Sequence, residues 1–135
     1  MSVEVLSTYR LQLRPDCTFT AAHRLTGYLH DLGISHAFAS PVLQATPGSL
    51  HGYDVTDPTR VSRELGGTAE FNAWVRALHR RDMGLVLDFV PNHMNARDPA
   101  NRWWWEVLRR GRASPFARNF DVDWRRRITL PWLTT

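Results

Sequence analysis

Residues 84–93 read Gly84-Leu85-Val86-Leu87-Asp88-Phe89-Val90-Pro91-Asn92-His93. A continuous apolar run of strand length carries one carboxylate near its end, and Pro91 stops it before two polar side chains. With the period-2 alternation of a strand, Asp88 shares a face with Val86 and Val90, while Leu85, Leu87 and Phe89 point the other way. Apolar residues on both faces predict a buried strand of a parallel sheet. A carboxylate in such a place needs hydrogen-bonding or charged partners. Either it ties down the loop that follows or it belongs to a functional site, and its neighbours in the chain decide between the two.

Working outward, Gly84 is preceded by a helical pattern. Thr68 is placed as N-cap, Glu70 falls in the first turn, Phe71, Trp74, Val75 and Leu78 form one apolar stripe, and Arg80 and Arg81 lie near the C-terminus. Nearer the N-terminus, Ser7 to Leu13 alternates and predicts a first strand ended by Arg14-Pro15-Asp16. Ala22, Leu25, Leu29 and Leu32 recur at helical spacing, with Thr18 or Thr20 as cap and Gly33 at the C′ position. Ile34 to Ala39, stopped by Ser40-Pro41, predicts a second strand. The resulting βαβαβ order requires parallel strands joined by helical crossovers, and such sheets take ligands at the carboxyl ends of their strands.

The connection from Pro41 to Gly67 is longer than a crossover requires. It holds Pro47-Gly48-Ser49-Leu50-His51-Gly52-Tyr53-Asp54-Val55-Thr56-Asp57-Pro58, a mixture of turn formers, rings and carboxylates. Gly52 lets the backbone bend between His51 and Tyr53, and Tyr53 offers a flat apolar face with a polar tip, a surface suited to a sugar ring. Packing on the sheet rim is the alternative for Tyr53, a loop-stabilising hydrogen bond the alternative for His51, and Asp57-Pro58 reads as a turn. His51, Asp54, Asp88, Asn92 and His93 also form a candidate oxygen- and nitrogen-rich metal cluster, although their spacing matches no ligand motif. Asp54 and Asp88 are equally a candidate pair of glycoside-cleaving carboxylates, which stand about 5 to 9 Å apart in such sites.

The 135 residues have the length of one domain, and the apolar content of 43% is that of a globular chain. No stretch has the length and apolarity of a membrane span, and Met1 to Leu6 does not open a secretory signal. A single cysteine, Cys17, excludes an intramolecular disulfide framework; a cytoplasmic setting is the expectation. All 17 basic residues are arginine. Residues 1–96 carry a net charge of −1 and residues 97–135 a net charge of +5, so the charge changes just after the opening motif. In the basic part Trp103-Trp104-Trp105, Phe116, Phe120 and Trp124 are interleaved with arginine. That pattern suits single-stranded nucleic acid, or an insertion whose aromatics pack together or line a glucan groove.

HGYDVTDP at 51–58 and LDFVPNHM at 87–94 resemble the first strand-end motifs of the α-amylase superfamily, (β/α)₈ barrels acting on α-glucans. STYRLQL at 7–13, the run SPVLQATPGSLHGYDV from Ser40 and NRWWWEVLRRGRASPFARNFDVDW at 101–124 resemble one branch of that superfamily, and the likeness fades beyond Arg127. The resemblance implies an N-terminal βαβαβ portion of a (β/α)₈ (TIM) barrel in residues 1–95. Residues 96–135 would begin an insertion after the third strand, leaving the barrel incomplete. The implied activity is intramolecular transglycosylation, which turns the reducing-end α-1,4 bond of a maltodextrin into an α,α-1,1 trehalosyl bond. The implied partners are a maltooligosaccharide and the rest of the barrel, with neither nucleic acid nor membrane, and no cofactor is implied.

By the same resemblance, Tyr53 stacks under the sugar, His51 positions that ring, and Asp54 supports the site. Asp88 orders the charge network, and His93 bonds a sugar hydroxyl. Asn92 matches a position that holds calcium in many amylases, a role not carried over to this chain. The family's catalytic carboxylates lie on later strands, so Asp54 and Asp88 are not the bond-breaking pair and the chain alone is expected to be inactive.

Overall fold

The computed structural model describes residues 4–130; Met1 to Val3 and residues 131–135, the end of the segment past Arg127, lie outside the described residues. In chain order the elements are β1 (Thr8–Leu11), α1 (Phe19–Asp31), β2 (His36–Ala39), β3 (Leu43–Ala45), β4 (Val55–Val61), α2 (Gly67–His79), β5 (Gly84–Leu87) and α3 (Arg102–Arg110), followed by two short 3₁₀ turns. Strands β1, β2 and β5 form a parallel sheet in that order, joined through α1 and α2. The expected βαβαβ unit is therefore present, and among the described residues its sheet stays open at both edges.

Strand register sorts the side chains into two layers. Leu11 pairs with Ala39 and Ala39 with Leu87, whereas Arg10 pairs with Phe38 and Phe38 with Val86. Residues directly opposite share a face, so Leu11, Leu13, Ala37 and Ala39 turn together toward the helices and are buried. Small alanines on β2 let the helix layer close down, and Phe19, Ala22 and Leu29 of α1 meet Trp74 and Leu78 of α2 over them. Phe19 stacks on Trp74 at 6.2 Å and meets the edge of Phe71 at 5.3 Å. Helix α1 ends in a Schellman motif, with Gly33 N–H donating to the His30 carbonyl and Ile34 N–H to that of Leu29. Gly33, read from sequence as C′, has the required φ of 83°.

Several sequence expectations are corrected. The segment from Pro41 to Gly67 is not a plain loop, because β3 and β4 pair antiparallel within it. Asp57-Pro58 lies inside β4. The partner of Gln44 is Asp57 and that of Leu43 is Val61, so residues 58–60 bulge out of the ladder, and Asp57 accepts from the Thr59 N–H across that bulge. Proline is tolerated there because a bulge asks no ladder bond of it. Helix α2 begins one residue before Thr68, at Gly67, with Gly66 as N-cap at φ 114°. The strand around Asp88 is not covered on both faces: β5 is an edge strand ending at Leu87, and Leu87 and Phe89 are 46% and 60% exposed. The first two strands are also shorter than expected, since only residues 8–11 and 36–39 keep ladder pairing.

Asn95 connects the two parts of the chain. Its backbone N–H donates to Val55, its side-chain amide donates to the Thr46 hydroxyl at 2.7 Å, and its carbonyl accepts from the Asn101 side chain. Asn101 in turn caps α3 by accepting from the Trp104 N–H.

Candidate functional site at the carboxyl ends of the parallel strands

The face of the sheet turned away from the helices carries Arg10, Phe38 and Val86, and Asp88 continues it beyond β5. The ladder still holds Asp88 there, since its N–H donates to the Ala39 carbonyl at 2.9 Å. Tyr53 arrives from the loop between β3 and β4. Its hydroxyl donates to Asp88 Oδ2 at 2.6 Å, and one Arg10 Nη2 group donates to the same carboxylate oxygen at 3.0 Å and to the Tyr53 oxygen at 2.8 Å. The Arg10 guanidinium also lies 4.7 Å from the Phe38 ring centre, on the neighbouring strand. A charged pair and a phenol thus form a closed triangle at the strand ends.

The loop that delivers Tyr53 is held by its own polar groups. Thr46 donates to the Asp54 carbonyl through both its N–H and its hydroxyl, and the Ser49 hydroxyl donates to the Asp54 carboxylate. His51 accepts from the Tyr53 N–H on Nδ1 and stacks on the Tyr53 ring at 5.9 Å and 19°. Gly52 makes this packing possible. At φ 78° a Cβ would lie 2.9 Å from the Pro41 carbonyl oxygen, so a larger residue would push the loop off the end of β2.

The hydrogen bond from Tyr53 is the strongest influence on the Asp88 carboxyl; with the Arg10 guanidinium it outweighs partial burial and holds the group below the ordinary aspartate range. For Tyr53 the bond to Asp88 comes first and burial second, and the phenol is held above its ordinary value although the Arg10 charge pulls the other way. Burial works against the Arg10 proton, and the bonds to Asp88 and Tyr53 override it, so the guanidinium is held above its usual range. The triangle is a proton-locked unit: carboxylate ionised, phenol neutral, guanidinium charged.

The expected site residues do not all converge. Tyr53 and Asp88 meet directly, while His51 and Asp54 support the loop behind Tyr53, 3.8 Å apart through Nδ1 and Oδ1. Asn92 and His93 are exposed, bond each other at 3.0 Å, and line a separate hollow with Phe89, Pro58 and Phe120. Among the described residues no three His, Cys, Asp or Glu side chains gather as a metal cluster.

Four aromatics of the basic segment pack in pairs, while Trp105 is exposed. Trp103 stacks on Phe116 at 5.2 Å and Trp104 tilts against Phe120 at 5.0 Å, while Arg109 and Arg110 pair with Glu106. Between α3 and β4 a cavity of about 630 Å³ is lined by Arg60, Arg63, Arg102, Trp103 and Phe116.

Arg10 is the site residue that sequence reasoning missed. Its signal is a single guanidinium at an inward position of a short strand, Thr8-Tyr9-Arg10-Leu11. Alternation places it on the same face as Asp88 once the two strands are set in one sheet, but strand order and register are not written in the local pattern.

Comparison with known proteins agrees with this fold. The family model for the alpha amylase catalytic domain matches residues 22–124. A Mycobacterium tuberculosis protein named "Putative maltooligosyl trehalose synthase" is 49% identical over 142 residues, covering 98% of this chain and 19% of its own length. The structure of maltooligosyltrehalose synthase from Arthrobacter ramosus superposes with a TM-score of 0.84 at 48% identity, over 88% of this chain and 16% of that one. A Sulfolobus tokodaii structure described as a hypothetical maltooligosyl trehalose synthase gives 0.78 at 40% identity, over 84% of this chain and 16% of that one. The chain spans less than a fifth of the length of these relatives. With a match over most of its residues and the parallel unit of a partial barrel, the chain belongs to the alpha-amylase family.

Proposed function

We propose that this chain supplies the sugar-contacting floor of an intramolecular transglycosylase that acts on maltodextrins, turning the reducing-end α-1,4 bond into an α,α-1,1 trehalosyl bond. The observation that carries the reading is the Arg10–Tyr53–Asp88 triangle at the carboxyl ends of three parallel strands, where barrels bind their substrates. The kinship to maltooligosyl trehalose synthases, at 49% identity over nearly the whole chain, supports the choice of reaction. In this reading Tyr53 stacks under a glucose ring, His51 and Asp54 hold the loop, Asp88 anchors the phenol, and Asn92 and His93 meet sugar hydroxyls. None of these groups is assigned to bond cleavage, which falls to carboxylates on further strands of the closed barrel. Residues 1–95 belong to that barrel and residues 96–135 open an insertion, whose helix α3 packs on β4. The setting is reducing and cytoplasmic, in keeping with one unpaired cysteine.

Fluorescence titration with maltohexaose tests the reading. Saturable binding that persists at high salt and weakens at least tenfold in Tyr53→Ala is the expected result, with no non-reducing product formed by the chain alone. Steeply salt-dependent binding to oligonucleotides, with no response to maltohexaose, would replace the glucan reading by a nucleic-acid one.

A further inference from the structure

We propose that Arg10 is the positioning residue of this site, fixing the Tyr53 ring as a platform by clamping the phenol and the Asp88 carboxylate together. Its value as a sugar platform rests on the glucan reading above; the clamp itself rests on geometry. A tyrosine hydroxyl has one proton to donate. Tyr53 gives it to Asp88 at 2.6 Å, and its oxygen accepts from Arg10 at 2.8 Å. The phenolic tip is thereby occupied in both directions, and only the ring face opposite the stacked His51 is left to meet a ligand. Without Arg10, the phenol has a single tether, and the carboxylate loses its charged partner.

Three features distinguish a positioning role from a surface ion pair. One Nη2 group serves both partners, so the guanidinium plane sets the distance between them. Arg10 is held from below by the Phe38 ring. And the three partners come from β1, from the end of β5 and from the hairpin loop, with Tyr53 and Asp88 lying 43 and 78 residues from Arg10 along the chain. The other donors of the fork, Nε and Nη1, have no hydrogen-bond partner among the described residues, and the side chain is 37% exposed.

The test is the difference absorbance of Tyr53, obtained at micromolar concentration as wild type minus Tyr53→Phe. The wild-type signal is expected to show an acid step as Asp88 takes a proton and an alkaline step as the phenol ionises. His51, the other titratable ring against Tyr53, is controlled with His51→Gln. Arg10→Met keeps the stem and removes the charge and the donors. It is expected to move both steps to higher pH, the acid one because the carboxylate loses its guanidinium, the alkaline one because the phenolate then faces Asp88 unopposed. Arg10→Lys is expected to restore part of each shift. Unchanged steps in Arg10→Met, with helical circular dichroism intact, would overturn the assignment. If Arg10→Met does not fold while Arg10→Lys does, the charge is what the site requires and the assignment stands; if neither folds, the role is packing and the assignment falls. Maltohexaose reports separately: shifted steps without sugar binding would refute the glucan reading and leave the clamp in place.

Discussion

Asp88 accepts two charge-assisted hydrogen bonds on one oxygen, at 2.6 Å from Tyr53 and 3.0 Å from Arg10. Its side chain is 23% exposed, so solvent screens the pair only in part. Because its carboxyl is held below the ordinary aspartate value of 3.8, the bonds add stability that is fully present above that value. The contribution is lost as pH falls through the lowered folded-state value. Tyr53→Phe is therefore expected to cost about 1 kcal/mol at pH 7, and the gap between the two urea midpoints should close as pH drops below about 4. A gap that stays constant down to pH 2 would show that the phenol contributes packing and not a bond to the carboxylate. Asp54 acts differently, serving the loop through Ser49 and Thr46 without bonding to Asp88, so it is a residue of loop shape.

At the scale of elements, a steric agreement is built into the register of β2 and β5. His36 lies opposite Gly84 in register, buried at 6% exposure, and a Cβ on Gly84 would come within 2.2 Å of its ring. In the sequence Gly84 reads only as the break before a strand; the structure shows that it also makes room for a histidine. Overpacking at such a contact costs about 1 to 3 kcal/mol, so Gly84→Ala should lower the chain's denaturation midpoint accordingly. The double variant His36→Ala with Gly84→Ala should recover most of that loss, and strict additivity of the two changes would argue against the contact. The β3–β4 hairpin is the element that sequence periodicity hid. Its ladder is broken by the bulge at residues 58–60, so neither strand shows a clean alternation, and Pro58 argues against a strand altogether.

At the largest scale, the parallel sheet is open among the described residues. Parallel sheets are ordinarily covered on both faces, yet among the described residues only the face carrying Leu11, Ala37 and Ala39 meets helices. Leu87 and Phe89 remain exposed beside the free edge of β5. An uncovered edge with apolar side chains is a template for pairing with other chains, and the chain is expected to self-associate at roughly tens of micromolar. Phe89→Lys should shift sedimentation toward monomer without altering the circular dichroism. Equal association in both would direct attention to the exposed Tyr28 on α1 and Leu32 at its C-cap instead. Among the described residues no helix is long and apolar enough to cross a membrane.

The sequence by itself determined the parallel βαβ unit, because apolar periodicity, the C′ glycine at Gly33 and the turns at Pro15 and Pro41 are local effects. It also singled out Tyr53 and Asp88 as candidate site residues, through the motifs at 51–58 and 87–94, and the two are in contact. Tertiary structure alone decided which groups meet. Arg10 reaches Asp88 only because β1 and β5 flank β2 in one register, and Asn92 and His93 diverge from Asp88 because the chain leaves the ladder after Asp88, whose N–H makes the last bond to β2. The burial expected for Asp88 failed for the same reason. A side chain's own sequence states its periodicity, but whether a second layer lies over it depends on what packs against the sheet, and that is a property of the assembled fold.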